Sequence, residues 1–496
     1  MPARGKVLVV GSGFGGLACA IGLAGRGYQV TILERKGRIG GKLQRVVIDG
    51  YRFDCGPNTI ELPYVFRNVF RSVGRRMEDY VSLIPLEPRS RSIFTDGSVV
   101  DMTGDVEEMQ HQIDTYSPVD ALHYPAFLQE SRMMFQSVKR RLMNQLPLGH
   151  REKWNASMVM ELLSVVPLFR RSLNRELRHF FTHPNTLALF GRYAARVGSS
   201  PFLAPSIYGM LHSSEVDHGT YSIRGGTYAL VEALQTLAQE LGVEIKMGIE
   251  AQQIRVQGGR VAGLETSEGY YEAPLIVING DLLSTSQQLL SEEFRPSLND
   301  RRIASMEPSL SAFVQLAGVP SLYDRLLHHT VFFSDRYEQE FNEIFNQRRP
   351  PSKPSVYICN SSYTEKEAAP EGHSNLFIMT YAPYLSNAWD WNEQRERYSE
   401  HVLSTLRGYG LQGIQQQHVL STYAPDQLAR DTAAYRGGMY GLASHSIRQI
   451  LRRPSNRSRD VKGLWYVGGS TYPGGGVPYV TLSGHLVAGY IAHEME

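Results

Sequence analysis

Gly11-Ser12-Gly13-Phe14-Gly15-Gly16 puts four glycines into six residues, directly after the apolar run Val7-Leu8-Val9-Val10. A turn of this kind can bring backbone amides against a phosphate: Gly11 permits the tight turn, Gly13 admits a pyrophosphate and Gly16 lets a helix pack on a strand. Glu34, about 20 residues on, supplies a carboxylate able to accept from ribose hydroxyls. A second glycine-rich and basic turn follows, with Arg35, Arg38, Gly40, Gly41 and Lys42, and then Gly56-Pro57. Near the other end lies Gly468-Gly469, followed by Pro473-Gly474-Gly475-Gly476-Val477-Pro478. The chemistry implied is capture of an adenine dinucleotide, with amides and a helix dipole directed at its phosphates. A nicotinamide site has no need of the second loop, whereas a flavin laid along a sheet needs a second backbone approach, so the pattern points to FAD.

The cofactor-contacting set comprises Gly11, Gly13, Phe14, Gly16, Glu34, Arg35, Gly40, Gly41, Lys42, Gly56, Pro57, Ala251, Gly468, Gly469, Gly475 and Val477. Polar candidates for the reacting end are Arg224, Tyr440, His445 and Tyr472. Arg224 could equally hold a phosphate or a backbone carbonyl, and His445 reads more simply as a surface histidine. Neither a Ser-His-Asp arrangement nor a paired-carboxylate motif is visible, so no catalytic acid or base is assigned. Cys19, Cys55 and Cys359 are far apart and lack metal-ligand spacing, which predicts no metal, no structural disulfide and a reducing compartment.

These residues need a scaffold. Val7–Val10, a helix after the glycine turn and a strand from Tyr28 to Leu33 ending at Glu34 form a βαβ unit. Leu230, Leu234, Leu237 and Leu241 recur at spacings of four, three and four, the stripe of an amphipathic helix closed by Gly242. A strand Val243–Met247, a hairpin Ile254–Val256 with Val261–Leu264 and a buried strand Leu275–Ile278 follow. Leu464–Val467 opens a strand, turn and helix that runs from Tyr479 towards Ile491. The expected fold is α/β: a Rossmann-like FAD-binding domain with an interleaved substrate domain. Residues 1–83, 221–285 and 441–496 form the first, and 84–220 and 286–440 the second. Arg348-Arg349-Pro350-Pro351-Ser352-Lys353-Pro354 reads as an exposed crossing.

A chain of 496 residues exceeds the size at which one core usually stops growing, which favours two lobes. Its net charge of +2 argues against nucleic acid as a partner. No run reaches the roughly 18 apolar residues of a membrane span. Residues 157–181 join a Met-rich apolar stretch to Arg170, Arg171, Arg175 and Arg178. Read as one helix, the segment puts Arg171, Arg175 and Arg178 on one face that dips into a headgroup layer; a core helix with a solvated basic end is the equal alternative.

The glycine turns, together with Tyr221-Ser222-Ile223-Arg224-Gly225-Gly226-Thr227, Val277-Ile278-Asn279-Gly280-Asp281, Tyr435-Arg436-Gly437-Gly438-Met439-Tyr440-Gly441 and Leu451-Arg452-Arg453-Pro454-Ser455-Asn456, resemble the FAD-dependent carotenoid desaturase and oxidase family of amine-oxidase-like flavoproteins. Leu62–Phe66, Phe94–Gly97, Val197–Ser200 and Gly474–Gly484 look most like its bacterial C30, terminal-methyl oxidase branch. The resemblance spans nearly the whole chain. It implies FAD, an apolar acyclic carotenoid substrate and a cytoplasmic, peripherally membrane-associated enzyme that oxidises a terminal methyl group to an aldehyde. A phytoene- or dehydrosqualene-type desaturase is the alternative. A prenyl-lipid escort protein would lack the phosphate turns, and an amine oxidase would want an aromatic cage or base for the amine. Family members often carry His before the Pro-Gly-Gly-Gly turn; Tyr472 stands there instead.

Overall fold

The computed structural model describes residues 5–141, 169, 171–417 and 419–494. Five short segments make one parallel sheet, in spatial order Glu244–Met247, Gln29–Glu34, Lys6–Val10, Leu275–Ile278 and Leu464–Tyr466. Its central strand aligns Val7 with Val30 on one side and with Leu275 on the other. Lys6–Val10, Leu275–Ile278 and Leu464–Tyr466 are covered on both faces and are near-continuous apolar runs, whereas the edge strand Glu244–Met247 is polar and partly exposed. Val7 and Val9 pack with Leu17, Ile21 and Leu234 on one face, while Leu8 packs with Leu33, Ile276 and Leu464 on the other.

Helix Phe14–Ala24 and helix Val477–Glu494 lie together on the first of these faces. Small residues set their approach. A Cβ on Gly484 would stand 2.0 Å from the Gly15 carbonyl oxygen, and one on Gly22 would stand 2.7 Å from the Ala488 Cβ. Residues from opposite ends of the sequence are thereby locked together directly behind the glycine turn.

The second sheet has seven strands, in the order Val419–Tyr423, Ser311–Val319, Ser374–Ala382, Val356–Asn360, His329–Phe332, Ser90–Ile93 and Val99–Met102. All pairings are antiparallel except His329–Phe332 with Ser90–Ile93. Period-two alternation divides its residues. Phe313 points to helix Trp391–Gly408, stacking on Trp391 at 5.3 Å between ring centroids. Ala312 and Val314 point the other way, into a cavity. A helical layer including Pro118–Arg141, Pro184–Ala195 and Met210–His218 closes that side with an aromatic core of Tyr124, Phe127, Phe181 and Phe190. A three-stranded sheet of Ile60–Glu61, Thr220–Ile223 and Leu83–Pro85 joins the two parts.

Local predictions agree with these elements to within a few residues, with two departures. Ser172 caps a short helix Leu173–Leu177 with extended backbone, so Arg171 lies before the helix and the three arginines share no single helical face. The rest of the 157–181 expectation falls, apart from Phe169, on residues outside those described. The 348–354 crossing is held rather than loose: Pro350, Pro351 and Pro354 are buried, and the Glu343 carboxylate accepts from Ser352 N and Arg349 Nη2. Among the described residues no helix is long and apolar enough to cross a membrane.

Candidate functional site

Between the two sheets lies a cavity of about 540 Å³. One end is built from the carboxyl ends of the parallel strands, where open α/β sheets place ligands. Of the predicted cofactor set, Gly11, Gly13, Phe14, Glu34, Arg35, Gly40, Gly41, Lys42, Gly56, Pro57, Ala251, Gly468, Gly469, Gly475 and Val477 all line it. Gly16 stands behind the wall, where a Cβ would meet the Gly11 carbonyl oxygen at 2.3 Å, in keeping with its packing role.

The glycine turn is held from outside itself. Gly11 adopts φ +96 and donates its N–H to Leu33 O at 2.8 Å. Asn279 Nδ2 donates to Gly11 O at 3.2 Å. The second turn closes against the first, for a Cβ on Gly41 would lie 3.3 Å from Gly13 Cα. Glu34 is buried, and its Oε2 accepts from Ser12 N at 3.0 Å and Ser12 Oγ at 2.6 Å, while Oε1 accepts from Lys36 N at 3.0 Å. Lys42 Nζ donates to Met439 O at 2.7 Å; burial lowers its pKa and Asp281 counters that. Asp281 caps helix Leu282–Leu289 through Oδ1 and accepts from Ser470 Oγ through Oδ2, tying the strand end to the distal glycine turn.

That distal turn is braced by the segment before it. Arg453 Nη1 donates to Gly469 O at 2.8 Å, and Asn456 Nδ2 reaches Tyr466 O, Tyr472 O, Thr471 Oγ1 and Ser483 Oγ. Glycine backbone lining the cavity at both turns, an acid at the end of the second strand and helix Phe14–Ala24 opening at the first turn fit an extended dinucleotide, so the residues present fit FAD.

Among the four polar candidates only Tyr440 lines the cavity. Arg224 is exposed, with its N–H on Ser82 O, and Tyr472 donates its hydroxyl to Ile450 O at 2.7 Å. His445 is no surface histidine: its side chain is 7% exposed, pairs with Glu307 at 3.5 Å and accepts from Ser200 N.

The other end of the cavity carries apolar and aromatic walls, with Val314, Val331, Phe333, Phe377, Met379 and Tyr381 from the seven-stranded sheet and its margins. Into this wall is set a charged cluster, buried at Glu215 and half-buried at Arg196 and Glu61, that sequence reading missed. Arg196 pairs with both Glu215 and Glu61. Glu215 Oε2 also accepts from Tyr193 OH at 2.6 Å, and Tyr193 OH contacts His212 Nδ1 at 3.2 Å, whose Nε2 meets Tyr124 OH at 3.1 Å. Burial pushes the Glu215 carboxyl up, but Arg196, Arg192 and Arg89 outweigh it and hold it below the usual carboxylate range. His212 is pushed down to about 3 by burial and by Arg89, so it is neutral at physiological pH. Asn279 and Asp281 were also absent from the predicted set, although they belong to a quoted motif. His328, His329 and Cys359 bring possible metal ligands within 4.8 Å of one another, but both ring nitrogens of His329 are engaged, by Thr59 and Tyr357.

Beside the cavity, Glu340 is a fully buried acid whose pKa burial raises to about 8, with Ser355 lowering it and the Glu343 charge adding to the rise. Its Oε2 accepts from Ser355 Oγ at 2.7 Å, and Oε1 has no partner among the described residues. Unfolding lets this carboxyl ionise from its ordinary value of 4.5, whereas the folded protein holds the proton until about 8. Stability from this group is therefore complete below pH 4.5, declines through the interval and is constant above it. Glu340→Gln is expected to flatten this decline, gaining on the order of 3 kcal/mol relative to wild type at pH 8 against pH 5. Urea unfolding at the two pH values measures it, and equal slopes for both proteins would remove the assignment.

The family described as flavin containing amine oxidoreductases matches residues 14–492. The chain is 31% identical to 4,4'-diapolycopene oxygenase of Methylomonas sp over 99% of both sequences. It is 30% identical to a zeta-carotene-forming phytoene desaturase of Myxococcus xanthus, covering 97% of this chain and 93% of the relative. The fold is similar to that of an oxidoreductase from Methanosarcina mazei, with a TM-score of 0.66, 17% identity, and coverage of 97% of this chain and 99% of that one.

Proposed function

Because the chain belongs to the flavin containing amine oxidoreductase family, we propose that it is an FAD-dependent carotenoid oxidoreductase that oxidises a terminal methyl group of an acyclic C30 carotenoid to an aldehyde. The observation that carries this reading is the cavity itself, glycine turns at one end and an apolar, aromatic wall with a buried charged cluster at the other. A pure hydrocarbon presents nothing for charges to bind, and buried charge is costly unless it meets a partner. A carbon that acquires oxygen gives those groups an acceptor.

In this proposal residues 1–83, 221–285 and 441–496 hold the cofactor and 84–220 with 286–440 hold the substrate. Backbone amides of the Gly11–Gly16 turn and of Gly41 bind the pyrophosphate, Ser12 fixes the Glu34 carboxylate for the ribose, and Asn279 keeps the turn closed. Gly56-Pro57, Gly475 and Val477 position the flavin ring. When bound, FAD would accept hydride from the substrate carbon; methyl to aldehyde takes two such two-electron oxidations and one oxygen atom, from O2 or water. Val314, Val331, Phe377 and Met379 orient the polyene and exclude water along its length. Membrane delivery of the substrate belongs to the same proposal: the polyene partitions into bilayers, so turnover needs detergent or liposomes.

The desaturase reading keeps one specific support, the Myxococcus relative. Supplying acyclic C30 and C40 carotenoids of graded desaturation and weighing the products separates the two. Oxygen gain with an aldehyde signature is expected; losses of two hydrogens per step, with no oxygenated product under air, would overturn the oxidase.

A further inference from the structure

A neutral polyene that gives up hydride and ends as a neutral product must give up a proton as well. In the step from alcohol to aldehyde a C–H bond breaks, its electron pair leaving as hydride to FAD, while C=O forms and the O–H proton needs an acceptor. In the desaturase alternative that proton comes from the neighbouring carbon. Most groups in the cavity wall are unsuited to take it. Glu34, Glu250, Asp281 and Asp431 stand at the nucleotide end: Glu250 follows Ile249, whose N–H donates to Glu34 O, while Asp281 acts on Lys42 and Asp431 on Lys36. Glu61 and Glu215 both pair with Arg196. Burial pushes up the Cys55 thiol and the Tyr357 and Tyr381 phenols, which keep their protons. There remains His329, the one histidine lining the cavity among the described residues.

Strand His329–Phe332 sets it there, its alternation turning His329 and Val331 to the cavity and Phe332 to the core behind the sheet. The ring stacks on Tyr357 at 5.8 Å between centroids, with Nδ1 2.9 Å from Tyr357 OH and Nε2 3.2 Å from Thr59 Oγ1. With both nitrogens so engaged His329 is no metal ligand. Thr59 is half-buried, lines the cavity and follows by two residues the Gly56-Pro57 backbone assigned above to the flavin ring. Burial, with His328, Arg196 and Arg192 adding and Glu215 opposing, holds His329 well below the usual histidine value, so the ring is neutral at physiological pH. On the flanking strands Cys359 keeps its proton and Arg91 is engaged by Asp101.

We propose that His329 accepts at Nε2, through the Thr59 hydroxyl, the proton that leaves the polyene with hydride, while Tyr357 holds its other nitrogen. The inference rests on the carotenoid reading above, deepens it, and holds for oxidase and desaturase alike. A neutral imidazole donates at one nitrogen and accepts at the other, so a Thr59 hydroxyl donating to Nε2 requires Nδ1–H to donate to the Tyr357 oxygen. The relay moves two protons: that of the substrate reaches Thr59 Oγ1 as Thr59's own passes to Nε2. A substrate that has lost hydride is a strong acid, so a base far below the ordinary histidine value suffices, and its neutral form is ready at each turnover.

Two measurements on FAD-loaded protein test this. In the first, acyclic C30 and C40 carotenoids in detergent are mixed with it without oxygen, and bleaching of the flavin band is followed from acid to alkaline pH. The wild-type rate is expected to fall only in acid, below the ordinary histidine value of 6.5, where the ring is already protonated. His329→Gln, which keeps a hydrogen-bonding side chain and removes the base, should lower the rate about 100- to 10,000-fold and abolish the acid limb, with FAD content and polyene affinity retained. In the second, 15N spectra of histidine-labelled protein, read as the difference between wild type and His329→Gln, should show a neutral His329 ring at neutral pH with its proton on Nδ1. Matching melting curves identify variants that fold. Should His329→Gln fold poorly, Thr59→Val, which removes only the relaying hydroxyl, is expected to slow bleaching severalfold. An unchanged rate in a folded His329→Gln, a loss confined to polyene affinity, or a proton on Nε2 overturns the proposal. If no polyene bleaches the wild-type flavin at any pH, the carotenoid reading itself fails, together with the inference built on it.

Discussion

Gly13→Val is expected to yield a folded but colourless protein. Valine at this position would fill the gap between the two glycine turns from which backbone amides reach a pyrophosphate; even its Cβ would stand 2.8 Å from Asn279 Nδ2, the atom that holds Gly11 O. Losing two charge-assisted hydrogen bonds of about 1.5–3 kcal/mol each amounts to at least about a 100-fold loss of affinity. Glu34→Ala should cost less, because it removes a ribose acceptor and leaves the phosphate cradle standing. Titration of apoprotein with FAD gives the order of the two variants, and circular dichroism separates lost binding from lost fold. Wild-type affinity in Gly13→Val would refute the placement of the cofactor.

The second large effect is expected at Arg196. Arg196→Met leaves the buried Glu215 carboxylate beside the half-buried Glu61 with their shared cation gone. Removing one partner of a buried ion pair costs roughly 3–5 kcal/mol. The destabilisation should also acquire a pH dependence. Without Arg196 the Glu215 carboxyl moves upward, so the variant becomes relatively more stable as pH falls, whereas in wild type this depressed carboxyl contributes stability at neutral pH that is lost in acid. Adding Glu215→Gln to Arg196→Met should recover part of the loss, since the double variant buries one charge fewer. Urea denaturation of the FAD-loaded proteins reads all three. A loss for Arg196→Met within about 0.5 kcal/mol, the ordinary range of a surface change, would show that the cluster is solvated and not buried.

The parts of the molecule that could be read in the sequence are those whose physics is local. Lys6–Val10, the glycine turn and helix Phe14–Ala24 form one contiguous unit, and Leu275–Ile278 announces a strand covered on both faces by being apolar throughout. The charged cluster could not be read this way, because Glu61, Arg89, Arg192, Arg196 and Glu215 come from four separate segments and each alone resembles an ordinary surface residue. A local trace existed: Arg192 and Arg196 lie four apart at the end of a helix otherwise buried and apolar from Leu187 to Ala195, where solvated arginines are out of place. The same rule misled at 157–181. Spacing put Arg171, Arg175 and Arg178 on one face, but Ser172 starts a new helix between the first and second, and periodicity has no meaning across a cap. His445 was misjudged because its partner Glu307 is remote in sequence.

The contact of Gly15 with Gly484 has a consequence for how the molecule is made. On the ribosome the βαβ unit emerges long before the helix that covers it. At roughly 5–20 residues per second the nascent N-terminal segment waits tens of seconds for that cover. Throughout this interval Leu17, Ile21 and their neighbours on helix Phe14–Ala24 lack the apolar residues Val487 and Ile491 that shield them in the finished molecule. The cavity too is closed late, because Gly468, Gly469, Gly475 and Val477 join Gly11 and Gly13 in its wall only once residues 464–494 have been made.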